Sequence, residues 1–437
     1  MRGAAQEGRP ATEVEERFAA LRRLIWLSPD LVDTDKQRIQ SIFRNTLTQA
    51  GFGAVAMPEG IAETLDAVTV RSIDAVPLKA LDEILGEAPP APLPRISLEE
   101  FTRRLSDPSI PEASLRPYLI ADERLSKPFA PAFVPNPELV EIPEDLAEAE
   151  GLQAMALGNL LARRRRQAAF RIRRIAGDAR PVLVSEGDSW FEFPWYLEDV
   201  IDCLGEDFSI WSLDAAGDTL KTIADEREYL PALREFRSSV KAFLFSASGN
   251  DIIGEDMFEI DGQSVPRPVI SQMLRPFAGG LTARDYFDTD MFRGRIGFIE
   301  AKYAEIFAAI EAEFPELPVI CHGYDYAIPA LATGETRKPS WVQVDYWLGG
   351  PFRRDLLIAD AAMQQEIVRL MIDELNLMLK RLCGGNNSGG RFRNAWHVDV
   401  RGTLGMALWA DEVHPTDAGY KLVAAKFRDT INAALGV

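Results

Sequence analysis

Apolar positions change rhythm along this chain. Over the first hundred or so residues they recur three and four apart, the spacing that gathers them on one face of a helix. Phe18, Leu21, Leu24 and Ile25 make one such face, and Ile39, Ile42, Phe43 and Leu47 make another after the cap-like cluster Asp33-Thr34-Asp35. Two further helices are predicted over 77–85 and 98–105, the second opened by Ser97 with Glu99 and Glu100 in its first turn. The proline-rich stretch 87–94 between them reads as a stiff extended linker. Residues 1–110 are therefore expected to form a small helical module, either an interaction module or a stabilising appendage, with no catalytic pattern of its own.

Prolines then dominate 108–143, which reads as an extended connector (about 111–145) running over a surface. From 144 to 175 the helical rhythm returns, with Leu146, Leu152, Met155, Leu157 and Leu160 as its apolar positions. This helix carries Arg163 to Arg166 in a row, then Arg171, Arg173 and Arg174. Such a run either binds phosphate or forms a solvated face paired with glutamates, and the acidity of the chain favours the second.

Beyond residue 181 the pattern becomes short apolar runs separated by longer amphipathic stretches. The runs at 182–184, 208–213, 242–245, 319–321 and 396–400 predict strands, and 195–204, 219–236, 295–314, 361–382 and 416–435 predict helices. Strands alternating with helices imply an α/β fold: a parallel sheet covered on both faces, reached by right-handed crossovers. Two connections, about 252–291 and 325–361, are too long for simple crossovers. They are expected to be caps that shape a binding site at the carboxyl edge of the sheet.

At 437 residues, two domains are expected, and 47% apolar content supplies a large core. The formal charge of −19 argues against nucleic acid or an anionic membrane as a partner, but not against a neutral lipid or sugar. Cys203, Cys321 and Cys383 lack metal-site or disulfide spacing, so no metal or cofactor is expected. The polar N-terminus shows no secretory signal and no window approaches a membrane span. The expectation is a cytoplasmic protein without a transmembrane segment.

Chemistry concentrates where the predicted strands end. Val182-Leu183-Val184 leads into Gly187-Asp188-Ser189, where the glycine is expected to allow a tight turn with unusual backbone angles. Ala215-Ala216-Gly217-Asp218 follows the second run, Ser248-Gly249-Asn250-Asp251 the third, and Asp411-Glu412-Val413-His414-Pro415 lies near the end. A serine needs a base to become a nucleophile, and His414 supplies one that works near neutral pH. Asp411, three residues earlier, can hold the imidazole tautomer, as in a Ser-His-Asp triad.

These four blocks resemble the SGNH (GDSL) hydrolase family, named for a Ser, Gly, Asn and His that occur here in the family's order. The resemblance covers about 181–437. It implies a flavodoxin-like three-layer α/β/α fold with strand order 2-1-3-4-5. It also implies a serine esterase or lipase without a metal, in which Ser189, Asp411 and His414 are catalytic. The backbone N–H groups of Ser189 and Gly217 and the side-chain amide of Asn250 would then form the oxyanion hole. Trp190 departs from the leucine common after the family's serine, and opens the cluster Phe191, Phe193, Trp195 and Tyr196, which either lines an acyl pocket or belongs to the core. His322 and Tyr324 end the fourth strand and are candidate substrate contacts. Cys321 and His322 should point to opposite faces, which argues against a Cys-His dyad, and His397 is most simply structural.

The resulting expectation is an ester hydrolase acting on a small-molecule or lipid substrate through an acyl-enzyme. Its alternatives are a lipid-directed hydrolase recruited to a protein partner by the N-terminal module, or a catalytically silent scaffold.

Overall fold

The computed structural model describes residues 93–437 apart from 111, 122–132, 142–153, 194, 261–262, 338–346 and 386–387. The helices expected before residue 93 lie outside the described residues. Residues 95–437 form one compact unit.

That unit begins earlier than the sequence predicts. Strand β1 (Ile96–Ser97) and helix α1 (Leu98–Ser106), which the helical pattern assigns to a module ending at 110, belong to it. As expected, Ser97 caps α1 by accepting from the Glu100 amide at 3.1 Å. The proline-rich connector is also more than surface chain. It contains β2 (Leu119–Ala121) and β3 (Phe133–Pro135), which pair antiparallel, and β4 (Val140–Glu141), which pairs parallel with β1. Leu115, Tyr118, Phe133 and Val140 are buried. Proline limited the regular structure here, but the residues between the prolines are apolar enough to join the core.

Helix α2 (Ala154–Ile175) carries the arginine row, and most of the row points inward. Arg165, 5% exposed, donates to the carbonyls of Arg104, Leu105, Asp107 and Ile110 and so closes the end of α1. Arg163 binds the carbonyls of Leu213 and Asp214 and pairs with Glu228 at 2.7 Å. Arg166 donates to the Phe191 carbonyl at 2.7 Å and pairs with Glu192, Asp199 and Asp202 at 2.6–2.9 Å. Burial opposes its charge, but the three carboxylates outweigh that and hold the guanidinium ionised. Arg164, Arg171 and Arg174 are the exposed members. The row is thus a set of internal struts, which corrects the solvated-face reading.

The central sheet holds β5 (Val182–Gly187), β6 (Ser209–Ser212), β7 (Val240–Ser246), β10 (Val319–His322) and β11 (Ala395–Val398), all parallel, in the order β6-β5-β7-β10-β11. Numbered by themselves these strands run 2-1-3-4-5, the flavodoxin-like order of the SGNH three-layer fold. Their side chains are almost all buried, because helices cover both faces. The crossovers are α3 (Val200–Leu204), then α4 (Leu220–Glu226) with α5 (Tyr229–Glu235), then α8 (Thr289–Glu313) and α10 (Ala361–Leu382), and α11 (Asp417–Leu435) ends the chain.

Three helices differ from prediction. The one expected over 295–314 starts earlier, at Thr289, where Asp288 accepts from the Met291 amide. The one expected over 195–204 starts at Val200, where Asp199 accepts from the Ile201 and Asp202 amides and sets the N-terminus. The one expected over 219–236 is two helices, because the Pro231 ring would clash with the Arg227 carbonyl and Arg227 instead turns left-handed at φ 55°.

Of the two long insertions, the first begins in α6 (Gly249–Ile253). It continues as the antiparallel hairpin β8 (Glu255–Ile260) and β9 (Gln263–Pro268), followed by α7 (Ile270–Met273). The second contains α9 (Gly349–Arg354). Among the described residues no helix is long and apolar enough to cross a membrane, and the three cysteines are free thiols.

Candidate active site

Strand β5 delivers Ser189 to the carboxyl edge of the sheet. Gly187 is needed there for space, not for the unusual angles expected of it. Its φ is not positive, but a Cβ would fall 2.8 Å from the Phe191 ring and 2.9 Å from Ser246 Cβ. The side chain of Asp188, next to Ser189, is buried. Its Oδ1 accepts from the Trp190 amide at 3.1 Å and the Ser246 hydroxyl at 2.9 Å, and its Oδ2 accepts from the Tyr324 hydroxyl. Burial raises its pKa to about 6, against the pull of these donors.

The base arrives on the turn before α11. Nε2 of His414 lies 2.8 Å from Ser189 Oγ, and Nδ1 lies 2.8 Å from Asp411 Oδ2. Asp411 also accepts from the amides of Val413 (2.8 Å) and His414 (2.7 Å). Burial pushes the Asp411 carboxyl up, but His414 and these hydrogen bonds outweigh it and hold the pKa below its usual value. An ionised carboxylate can only accept, so Nδ1 carries the proton and Nε2 is free to take one from Ser189.

Donors face the same space. Among the described residues the amides of Ser189 and Gly217 have no hydrogen-bond acceptor. Gly217 sits at φ 90°, a conformation that favours glycine. Asn250 Nδ2 spends one N–H on the Asp218 carbonyl at 2.8 Å, which leaves the other. Ser189, Gly217, Asn250 and His414 all line one cleft of about 860 Å³, counted out to its open mouth. The rest of that wall is mainly apolar, from Phe193, Ile252, Trp347, Leu348 and the α10 residues Val368, Met371, Ile372 and Leu375.

The aromatic cluster divides between wall and core. Phe193 lines the cleft, its ring 4.6 Å from that of His414, whereas Phe191 is wholly buried against His322 and Phe427. Trp190 borders the cleft yet is 4% exposed, and its indole N–H donates to the Val413 carbonyl at 3.0 Å, tying the nucleophile turn to the base turn.

His322 is not a substrate contact. It is fully buried outside the cleft lining, with Nε2 2.8 Å from Ser246 Oγ and Nδ1 accepting from the Tyr324 amide at 3.3 Å. Burial, helped by His397, lowers its pKa to about 3 and keeps the ring neutral. Strand alternation missed this because the core behind β10 takes up the imidazole. Tyr324 does line the cleft, at φ 60°, and its hydroxyl accepts from the Gly249 amide at 3.0 Å. His397, at 2.9 Å from Asn376 Oδ1, also lies outside the cleft. Among the described residues no group of His, Cys, Asp and Glu is placed to hold a metal ion.

Sequence reasoning missed Glu412. Its side chain is 3% exposed. Oε1 accepts from the amides of Ala330 (2.7 Å) and Gly349 (2.6 Å), and Oε2 from those of Trp347 (2.8 Å) and Leu348 (3.0 Å). Its partners are backbone groups far away in sequence, which leave no mark in the residue types.

No protein-family model and no curated protein matches the sequence. Solved structures with similar regions include a lipase from a goat rumen metagenome (13% identity, TM-score 0.34, covering 57% of this chain and 97% of that one). Phospholipase A1 from Streptomyces albidoflavus NA297 is 12% identical at TM-score 0.33 and covers 58% and 100%. A carbohydrate esterase family 3 protein from Talaromyces cellulolyticus is 14% identical at TM-score 0.31 and covers 59% and 99%. At this distance neither fold nor chemistry rests on the likeness; strand order and side chains carry both.

Proposed function

We propose that this protein is a serine esterase that hydrolyses a carboxylic ester with an apolar acyl group. The observation that carries the reading is the unbroken chain Ser189–His414–Asp411, beside amide donors that have no acceptor among the described residues and that belong to residues lining the same cleft. His414 Nε2 takes the Ser189 proton as Oγ attacks the ester carbonyl carbon. The oxyanion that forms takes hydrogen bonds from the Ser189 and Gly217 amides and Asn250 Nδ2. His414 then returns the proton to the departing alkoxide, leaving an acyl-enzyme. Water, deprotonated by the same nitrogen, releases the acid and restores Ser189. Asp411 holds the imidazole and offsets its positive charge at each step.

The largely apolar wall favours an acyl chain over a sugar ring, whose hydroxyls would lose their water without partners there. Because the donors are all protein groups, turnover is expected to survive chelators. Incubation with a fluorophosphonate probe, beside Ser189→Ala and His414→Ala, tests the reading. Labelling that vanishes in the Ser189 variant, together with turnover of p-nitrophenyl esters, is expected. Folded protein that neither labels nor turns over any ester would refute it and favour a silent scaffold.

A further inference from the structure

Glu412 lies in sequence between Asp411 and His414 of the base turn, and its carboxylate accepts from four backbone amides of another segment. Its four donors come from the two ends of one loop, Ala330 at the first and Trp347, Leu348 and Gly349 at the second. The backbone adds to this link, since the Ile328 amide donates to the Glu412 carbonyl at 3.1 Å and Arg337 to the Asp411 carbonyl at 3.1 Å. The clipped end of the loop is also a wall of the cleft: Trp347 and Leu348 line it, and the Trp347 ring meets that of His414 at 5.4 Å and 79°.

Resting on the esterase reading, we infer that Glu412 is a positioning residue that determines acyl-chain specificity. It registers the Trp347–Leu348 wall against Ser189 and His414. A carboxylate suits this task because each oxygen receives a pair of amides. A glutamine of the same shape presents a carbonyl to one pair only and turns its NH₂ toward the other, donor against donor. An aspartate keeps the charge but is one methylene short of the amides. Misregistry of the wall disturbs the seat of a long acyl chain far more than that of an acetyl group.

The test compares kcat/KM for p-nitrophenyl octanoate and p-nitrophenyl acetate in wild type, Glu412→Gln, Glu412→Asp, Trp347→Ala and the Glu412→Gln/Trp347→Ala double variant, with folding followed by circular dichroism. The octanoate-to-acetate ratio is expected to fall about tenfold or more in Glu412→Gln, mainly through KM, and less in Glu412→Asp. Trp347→Ala should lower it comparably, and the double variant little further, since both changes remove the same wall. A wild-type ratio in folded Glu412→Gln or Glu412→Asp overturns the inference, as does an unchanged ratio in Trp347→Ala. Should Glu412→Gln fail to fold, Glu412→Asp and Trp347→Ala decide. Octanoate binding to Ser189→Ala with and without Glu412→Gln, read by tryptophan fluorescence, makes the same comparison without turnover. A wild type inactive toward both esters while the acid still binds would count against the esterase reading and not against the wall.

Discussion

The two turns that bring Ser189 and His414 together are held by different parts of the molecule. The nucleophile turn is anchored in the core: Asp188 is gripped by Ser246 and Tyr324, and behind it Arg166 holds the Phe191 carbonyl within a buried cluster of carboxylates. The base turn is anchored to an insertion, through Glu412 and the amides of a loop that also walls the cleft. Beside the His414–Ser189 hydrogen bond itself, the Trp190 indole joins the two turns by donating to the Val413 carbonyl. Damage to the first support should therefore be felt as lost stability, and damage to the second as altered substrate choice.

The reacting pair itself comes first in size. Ser189→Ala or His414→Ala should lower kcat by ~10⁴-fold or more, measured on a short-chain ester, with the melting temperature little changed. Next is the core anchor: Arg166→Met leaves Glu192 and Asp199 buried without their counter-charge and should cost about 3–5 kcal/mol in a denaturant melt. A loss of selectivity with unchanged stability in that variant would erase the contrast between the turns. Asn250→Ala should cost ~10²–10³ in kcat with a smaller change in KM, the mark of a donor used mainly in the transition state.

The smallest effect concerns pH. His322 is held near a pKa of about 3, below its ordinary value, so the unfolded chain takes up a proton that the folded one refuses as pH falls. Its neutral ring therefore supports the fold at neutral pH, and that support wanes below about pH 6.5. Between pH 7.5 and 5, wild type should lose about 2 kcal/mol more stability than His322→Asn. The difference between the two proteins separates this group from buried acids such as Asp188, which act in the opposite sense.

The sheet and the convergence of Ser189, His414 and Asp411 are readable because both leave marks in residue type. Strands buried on two faces appear as apolar runs, and Gly-Asp-Ser, Gly217, Asn250 and the Asp411/His414 spacing fall at their ends. Three features were not readable, each for a physical reason. Glu412 works through backbone amides, which every residue has. The arginines of α2 look like a solvated face because sequence shows their charge and not the carbonyls and carboxylates that meet them. His322 sits where strand alternation allows either water or core behind it, and packing alone decides. Helix ends follow the apolar rhythm over 361–382, which is α10, whereas over 195–204 the Asp199 cap moves the start to Val200.

Arginines 165 and 166 stand side by side on one helix but serve opposite directions, one closing the end of α1 and the other holding the carbonyl just past the nucleophile. A shortened chain beginning at the first strand of the central sheet would expose the back of the nucleophile turn and strand two acidic side chains in the interior. The compact unit that carries the site starts near residue 95, and recombination or truncation that treats the sheet as a portable cassette would carry away the serine without its foundation.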